Sequence, residues 1–282
     1  MSSPRLNREQ VLAGLKDLPP LPAVVQELMA SLGKDDLSAD TIAFKLSRDP
    51  GLSAKTLRMA NSSFYGMSRQ VGSVQEALAI LGLRTVRTLV MAVGVRGNFE
   101  VPPTVGFDLD HFWRHAIGTA LCAQTLAQET RMDGDIAFTV GLLHDIGRIS
   151  MACAFPDDYA HVLAHQREHD IAPIDAERAV LGIDHAVVGG LLAEKWQFSP
   201  LIAEAITCHH APAMHHGPGL VGLVHLADAF SHALGLSGEA DEVVPSTPPD
   251  IWQAMAPNAD TCLRMFAQIE TQFEGVCQAL QV

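Results

Sequence analysis

Thirteen histidines in 282 residues is a high count, and imidazole is both the commonest metal ligand and the side chain that titrates near neutrality. The densest group is Gly141-Leu-Leu-His-Asp-Ile-Gly-Arg148, where His144 and Asp145 stand side by side after an apolar run, Ile136 to Leu143, and Gly147 permits a turn. One such pair offers a nitrogen and one or two oxygens to a hard or borderline divalent ion. That is too few to hold an ion alone. Partners are spread along the chain: His115 in a long helix starting near Asp108, His185 at the head of a helix after Gly182, His209 and His210 ending a helix that starts at Pro200, and Asp228 within Leu223 to Leu234. Together these seven nitrogen and oxygen ligands, from five helices, suffice for two ions. Two divalent cations roughly 3.5–4 Å apart and bridged by Asp145 would lower the pKa of a shared water and clamp a phosphoryl group from both sides, which is phosphohydrolase chemistry. The same residues also fit a plainer reading, as caps and hydrogen-bonded core side chains without metal.

Other histidines carry less. His161, His165 and His169 recur every four residues along a helix begun by Pro156, so they share one face and could bind zinc. No carboxylate or cysteine converges with them in the sequence, and a solvated face is the expectation. His111 lies one turn before His115, and His225 and His232 flank Asp228 by three and four residues, as orienting partners or substitute ligands. His215 and His216 sit in a Gly/Pro-containing loop as polar loop residues.

The elements that must position these groups are helices. Apolar residues recur at three and four almost throughout, and the alternating Val, Ile and Thr runs of half-buried strands are missing, so the fold class is all-α. Ser73 with Glu76 makes a capping box, Asp49-Pro50 and Ser199-Pro200 each place a cap before an N1 proline, and Ser38 and Asp108 precede further periodic segments. Gly33, Gly82, Gly182 and Gly235 suit left-handed positions after helix ends. Gly97 to Phe107 (GNFEVPPTVGF) interrupts the helical period and places a boundary near 105. Residues 7–105 form an N-terminal subdomain with five or six helices and no histidine; 106–237 form the histidine-bearing helical half; 238–282 hold an acidic, Pro-rich surface loop (Gly238 to Asp250) and a last helix from about Asn258 to Leu280. That helix could pack back on the core or against a second copy.

Composition excludes several classes. With 48% apolar and 18% charged residues the chain buries a core. A formal net charge of −13 argues against affinity built on nucleic-acid phosphates. Five cysteines, odd in number and without any CxxC, fit a reducing compartment. The start, MSSPRLNREQ, has no apolar leader core, and the apolar stretch Leu89 to Val95 is far shorter than a membrane span. The expectation is a cytoplasmic protein with no membrane attachment.

At the level of motifs, His115, then His144-Asp145, then Asp228 resembles the HD superfamily of metal-dependent phosphohydrolases. His185 within DHAVVGGLLAEKW and His209-His210 within AITCHHAP are similar to the additional metal ligands of the HD-GYP branch, whose members degrade cyclic di-GMP. The chain departs from that branch: APAMHHGP follows the histidine pair without a GYP element, and Arg148 stands where the branch carries lysine. In the first part, LPPLPAVVQELM (Leu18 to Met29), DPGLSAKTLRMANSSFYG (Asp49 to Gly66) and SVQEALAILGLRTVRTLVM (Ser73 to Met91) resemble the HDOD domain, the HD-related output domain of bacterial signalling proteins, and the likeness covers about residues 12 to 235.

The resemblance implies an N-terminal helical bundle packed on an HD-like helical half, used as a regulatory or scaffolding output module; many members have lost the ligands, and this chain keeps them. It sets three expectations. The first is a signalling module whose HD half binds one or two divalent ions, iron, manganese or zinc, and acts through a partner protein. The second is an active phosphohydrolase on a nucleotide or cyclic nucleotide, with Asp145 and Arg148 as catalytic residues, Asp145 bridging and Arg148 neutralising developing charge. The third is a metal-free polar core. In the N-terminal part, Arg58 to Tyr65 (RMANSSFY) suits a packed junction or a partner groove, with Asn61 and Ser62 as helix-end caps and Phe64 as a core filler.

Overall fold

The structure is a computed structural model that describes residues 6, 8–30, 32, 38–61, 69–97, 99–212, 219–239, 242–280 and 282. Gly33, Ser62, Phe64, Tyr65, His215 and His216 lie outside these. The described residues form fifteen α-helices and no strand, as the periodicity predicts. Five helices precede the Gly97–Phe107 break: α1 (Arg8–Lys16), α2 (Ala23–Ala30), α3 (Ala39–Ser47), α4 (Pro50–Ala60) and α5 (Val74–Arg96). A short 3-10 turn, Pro103–Val105, leads into α6 (Leu109–Thr130), α7 (Gly134–Leu143), α8 (Ile146–Ala154), α9 (Pro156–His169), α10 (Pro173–Val180), α11 (His185–Lys195), α12 (Pro200–Cys208) and α13 (Leu220–Ala233). After an extended segment come α14 (Pro249–Met255), which no sequence signal announced, and α15 (Ala259–Leu280).

The starts follow the capping chemistry. Ser38, Ser73 and Asp108 each accept from the backbone N–H three residues on, Asp49 Oδ1 accepts from Leu52 N at 2.9 Å, and Glu76 reaches back to Gly72 N at 2.8 Å. Ser199 departs from expectation and makes no side-chain cap bond; the N1 proline alone starts α12. Gly182 and Gly235 take positive φ as expected, at 79° and 61°. Gly82 does not end a helix: at φ 81° and ψ 160° it bends α5 in its interior. Asn61 ties the end of α4 to the strand-like approach to α5, donating to Leu57 O and Val71 O and accepting from Val71 N.

One contiguous core runs from Val11 in α1 to Leu280 in α15 and includes residues from both sides of the Gly97–Phe107 break. Arg87 of α5 pairs with the buried Asp135 at the start of α7 across that junction. α15 packs back on this core, burying Met265, Ile269, Phe273, Val276 and Leu280, side chains that contribute about 1.5–3 kcal/mol each when fully buried. Arg114 of α6 fixes its register by pairing with Glu274 at 2.6 Å and covering the Phe273 ring. Among the described residues one segment, Gly134–Ala154, is long and apolar enough to cross a membrane, and 83% of an 18-residue apolar stretch of it is buried inside the fold. All five cysteines are free.

Two glycines set how closely the central helices approach. A Cβ at Gly141 in α7 would lie 2.7 Å from Ala120 Cα and 2.8 Å from Thr119 O in α6. A Cβ at Gly147 in α8 would lie 2.0 Å from His185 O and 2.8 Å from Gly189 N in α11. Gly147 therefore serves not as a turn, as its position after His144-Asp145 suggests, but as the contact that lets α11 sit against the α7–α8 junction. Replacing Gly147 with Ala forces a Cβ into the backbone of α11, so G147A is expected to destabilise the fold by about 1–3 kcal/mol. Urea unfolding of G147A beside the wild type checks this, and an unchanged midpoint would contradict it.

Candidate metal centre

The close approach of α8 to α11 brings the candidate ligands together. α6 presents His115 from its second turn; α7 ends on His144; Asp145 occupies the step into α8. Asp145 stands at the N-cap position of α8 yet makes no cap bond, so its carboxylate is free to face inward. His185 is the first residue of α11, held in place because Asp184 caps that helix by accepting from Val187 N. His209 and His210 follow the last turn of α12, and Asp228 projects from the middle of α13. All of the seven residues except His210 are buried.

Asp145 Oδ1 is the hub. It lies 3.1 Å from His185 Nε2, 3.5 Å from His209 Nε2 and 3.7 Å from His144 Nε2. His185 Nε2 and His210 Nε2 are 2.8 Å apart. On the other side, His115 Nε2 is 3.2 Å from His144 Nε2 and 3.1 Å from Asp228 Oδ1, which is 3.6 Å from His144 Nε2. Two overlapping sets result, Asp145 with His185, His209 and His210, and Asp145 with His115 and His144; within each set one ligand atom of every residue lies within 4.8 Å of the others. Arg148 Nη1 donates to Asp145 Oδ2 at 3.1 Å, which leaves Oδ1 to the histidines.

Outer partners aim the rings. His144 Nδ1 donates to Gly141 O and His209 Nδ1 to Ile206 O, both at 2.7 Å, so each Nε2 turns its lone pair inward. His185 Nδ1 lies 2.6 Å from Glu177 Oε2, which also accepts from His185 N at 2.7 Å, while Tyr159 donates to Glu177 Oε1 at 2.9 Å. Nothing in the sequence singles out Glu177: it sits eight residues before His185 among the polar residues of α10, and its complete burial and its bonds to His185 and Tyr159 mark it as no surface acid.

The electrostatics ask for a cation. Burial alone would drive protons off His185 and onto the carboxylates; the flanking charges win. Against the burial penalty, Glu177 and Asp145 push the His185 pKa up to about 10, and Asp145 and Asp228 raise that of His144. Asp145 and Asp228 are held well below the usual carboxylate range despite burial, by His144 and His185 in one case and His115 and His144 in the other. Burial and the neighbouring imidazoles lower His209 and His210. His209 Nε2 and Asp228 Oδ1 are nonetheless buried without a hydrogen bond. Nitrogens crowded edge to edge, ionised carboxylates and orphaned buried donor atoms fit a divalent cation, because tetrahedral ligands at metal–nitrogen distances of about 2.0–2.1 Å stand little more than 3 Å apart. The donor set could hold a metal ion.

The remaining histidines divide. His161 and His169 are exposed on the outer face of α9, where the His165 and His169 rings stack at 4.0 Å. His111 lies outside the cluster, 3.6 Å from Asp108. His225 braces the end of α12, with Nδ1 2.8 Å from His209 O and Nε2 3.2 Å from Ser246 O. Of the described residues before α14, Ser246 and the largely buried Glu242, which is 3.0 Å from His232 Nδ1, reach α13, while Val243 and Val244 stay exposed at the surface.

Two outcomes follow from this geometry. Glu177→Gln, which keeps shape and removes charge beside His185, is expected to weaken metal affinity about 10–100-fold with the helical content unchanged; calorimetric titration measures it, and equal affinities would remove Glu177 from the support of the site. At pH 7 the metal-free centre holds on His185 a proton that a cation must displace. Binding is therefore expected to release protons and to weaken as pH falls; titration in buffers of different ionisation enthalpy reads the release, and a heat independent of buffer would contradict it.

Comparison with known proteins finds relatives both in sequence and in structure. An uncharacterized protein of Treponema pallidum (strain Nichols) is 27% identical over 198 residues, 70% of this chain and 38% of that protein. Ribonuclease Y of Clostridium perfringens (strain SM101 / Type A) is 32% identical over 120 residues, 43% of this chain and 18% of that enzyme. The chain thus spans well under half the length of these curated relatives. Among solved structures, a nominal phosphohydrolase from Shewanella amazonensis SB2B superposes with a TM-score of 0.76 at 29% identity, over 96% of this chain and 98% of that one. The family profile of the HDOD domain matches residues 18–212, more than half of the sequence and both sides of the Gly97–Phe107 break, and the chain belongs to that family.

Proposed function

We propose that the chain is a cytoplasmic bacterial regulatory output module whose HD half holds one or two divalent ions, iron, manganese or zinc, and whose output passes to a partner protein. The observation that carries the metal reading is Asp145 Oδ1, placed within 3.7 Å of three ring nitrogens and shared by two ligand sets. His185, His209 and His210 would hold one ion, His115, His144 and Asp228 the other, with Asp145 between them. The regulatory reading is supported by the family and by the seclusion of the centre: six of its seven residues are buried, which suits a core that sets the shape of the helical platform.

A second reading, a metal-dependent phosphohydrolase or phosphodiesterase, is favoured by Arg148. Its guanidinium is largely buried, bonded to Asp145 Oδ2, and its Nε has no partner. Asp145 holds it charged, and an arginine with a donor to spare beside a bridging carboxylate suits recognition of a phosphate oxygen. Two bound divalent ions supply Lewis acidity and an activated water. The likeness to a nominal phosphohydrolase suits a nucleotide or cyclic nucleotide as substrate, and the likeness to ribonuclease Y adds RNA to the candidates to be tried.

Protein purified without chelators is expected to carry stoichiometric metal, and Asp145→Ala and His144→Ala to lose most of it, as read by elemental analysis; wild type as empty as both variants would leave only a polar core. Turnover separates the two readings. Release of phosphate, nucleoside monophosphate or shortened RNA by metal-loaded wild type, reduced at least about 100-fold in Asp145→Ala, would establish the enzyme over the module. The regulatory reading expects no turnover and co-purification of a signalling protein.

A further inference from the structure

One turn beyond Asp228, α13 carries His232, which stands outside the seven-residue centre but touches it. Its Nε2 is 3.5 Å from Asp228 Oδ1, and its ring lies 4.6 Å, centroid to centroid, from that of His115. From the other side comes Glu242, in the non-helical approach to α14, with 7% of its side chain exposed and Oε1 3.0 Å from His232 Nδ1. That approach is misaligned for a hydrogen bond: neither Glu242 oxygen nor His232 Nδ1 makes one, and His115 Nδ1 is likewise buried without a partner. Burying a carboxylate with both oxygens unsatisfied is costly unless a cation compensates it. His115, His232 and Glu242 each present one ligand atom within 4.8 Å of the others.

We propose that His115, His232 and Glu242 form a further divalent-cation site on the flank of the centre, and that its occupancy fastens the segment leading to α14 onto α13. Two imidazoles and one carboxylate suit zinc, iron(II) or manganese(II). The site rests on the metal-centre reading only through His115; His232 and Glu242 are its own. Its consequence is mechanical as well as chemical. Glu242 is the side chain by which this segment reaches the buried histidines, and a cation held between Glu242 and α13 would join two elements that are otherwise linked by the Ser246 contact to His225.

The whole chain, stripped with chelator and reloaded in parallel with manganese(II), zinc or, without oxygen, iron(II), provides the test. Bound metal is counted by mass spectrometry after desalting in wild type, Glu242→Gln, His232→Ala and Asp145→Ala, with circular dichroism checking that each is folded. Glu242→Gln and His232→Ala are expected each to lose one equivalent, or to bind it at least about tenfold more weakly, while keeping the metal that Asp145→Ala loses. Metal should also slow amide exchange at Glu242, Val243, Val244 and Ser246 in wild type and not in Glu242→Gln. Equal stoichiometry and affinity in wild type, Glu242→Gln and His232→Ala with all three metals would overturn the flank site. Loss in those two variants with none in Asp145→Ala would uphold it and overturn the seven-residue centre.

Discussion

Burying ionised carboxylates among imidazoles in a helical core is the constraint on which the rest of this structure depends. Asp145 and Asp228 are almost fully excluded from solvent, and so is Glu177 behind His185. Desolvation of one such group costs several kcal/mol unless charge and hydrogen bonds answer it. In the metal-free chain the answer is the proton on His185 and the guanidinium of Arg148. A divalent ion would answer the same demand more completely, since the ring nitrogens and the Asp145 oxygen already face one another. Metal affinity and fold stability are therefore linked through one group of side chains.

The helices around the centre serve this convergence. α6, α7 and α13 are apolar on nearly every face because they occupy the middle of the molecule, which explains why α7 and α8 together reach the apolarity of a membrane span while lying inside the fold. Glycine, not a larger residue, stands where α7 crosses α6 and where α8 meets α11, and the second contact places His185 beside Asp145. The N-terminal helices extend the core: α5 packs on α7 beside the Arg87–Asp135 pair, α1 packs on α8 and α11 with Lys195 donating to Leu15 O, and α4 packs on α15.

Much of this was legible in the amino-acid order. Three-and-four apolar spacing, Ser38, Ser73 and Asp108 caps and prolines at first helical positions define most helices, because these signals act within a turn or two. Gly82 misleads for the same reason: a glycine that suits a helix end also suits a bend, and the packing of α5 chose the bend. Ser199 has the right type for a cap and does not act as one. Glu177, Glu242 and the inward path of the segment before α14 are invisible locally, since a glutamate among polar neighbours reads as solvated until its partner arrives from elsewhere in the chain.

Residue types and short-range spacing by themselves determined the all-helical class and offered side chains able to bind a divalent ion; the family was legible from the resemblance of longer motifs. What they left open was whether those side chains meet. His115 and Asp228 are separated by more than a hundred positions, yet their facing atoms stand 3.1 Å apart, and that distance is decided by helix crossing, by the absence of a Cβ at Gly141 and Gly147, and by the Nδ1 acceptors that turn each ring. Only the folded chain supplies those, because ligand geometry is a property of how helices pack and not of any one of them.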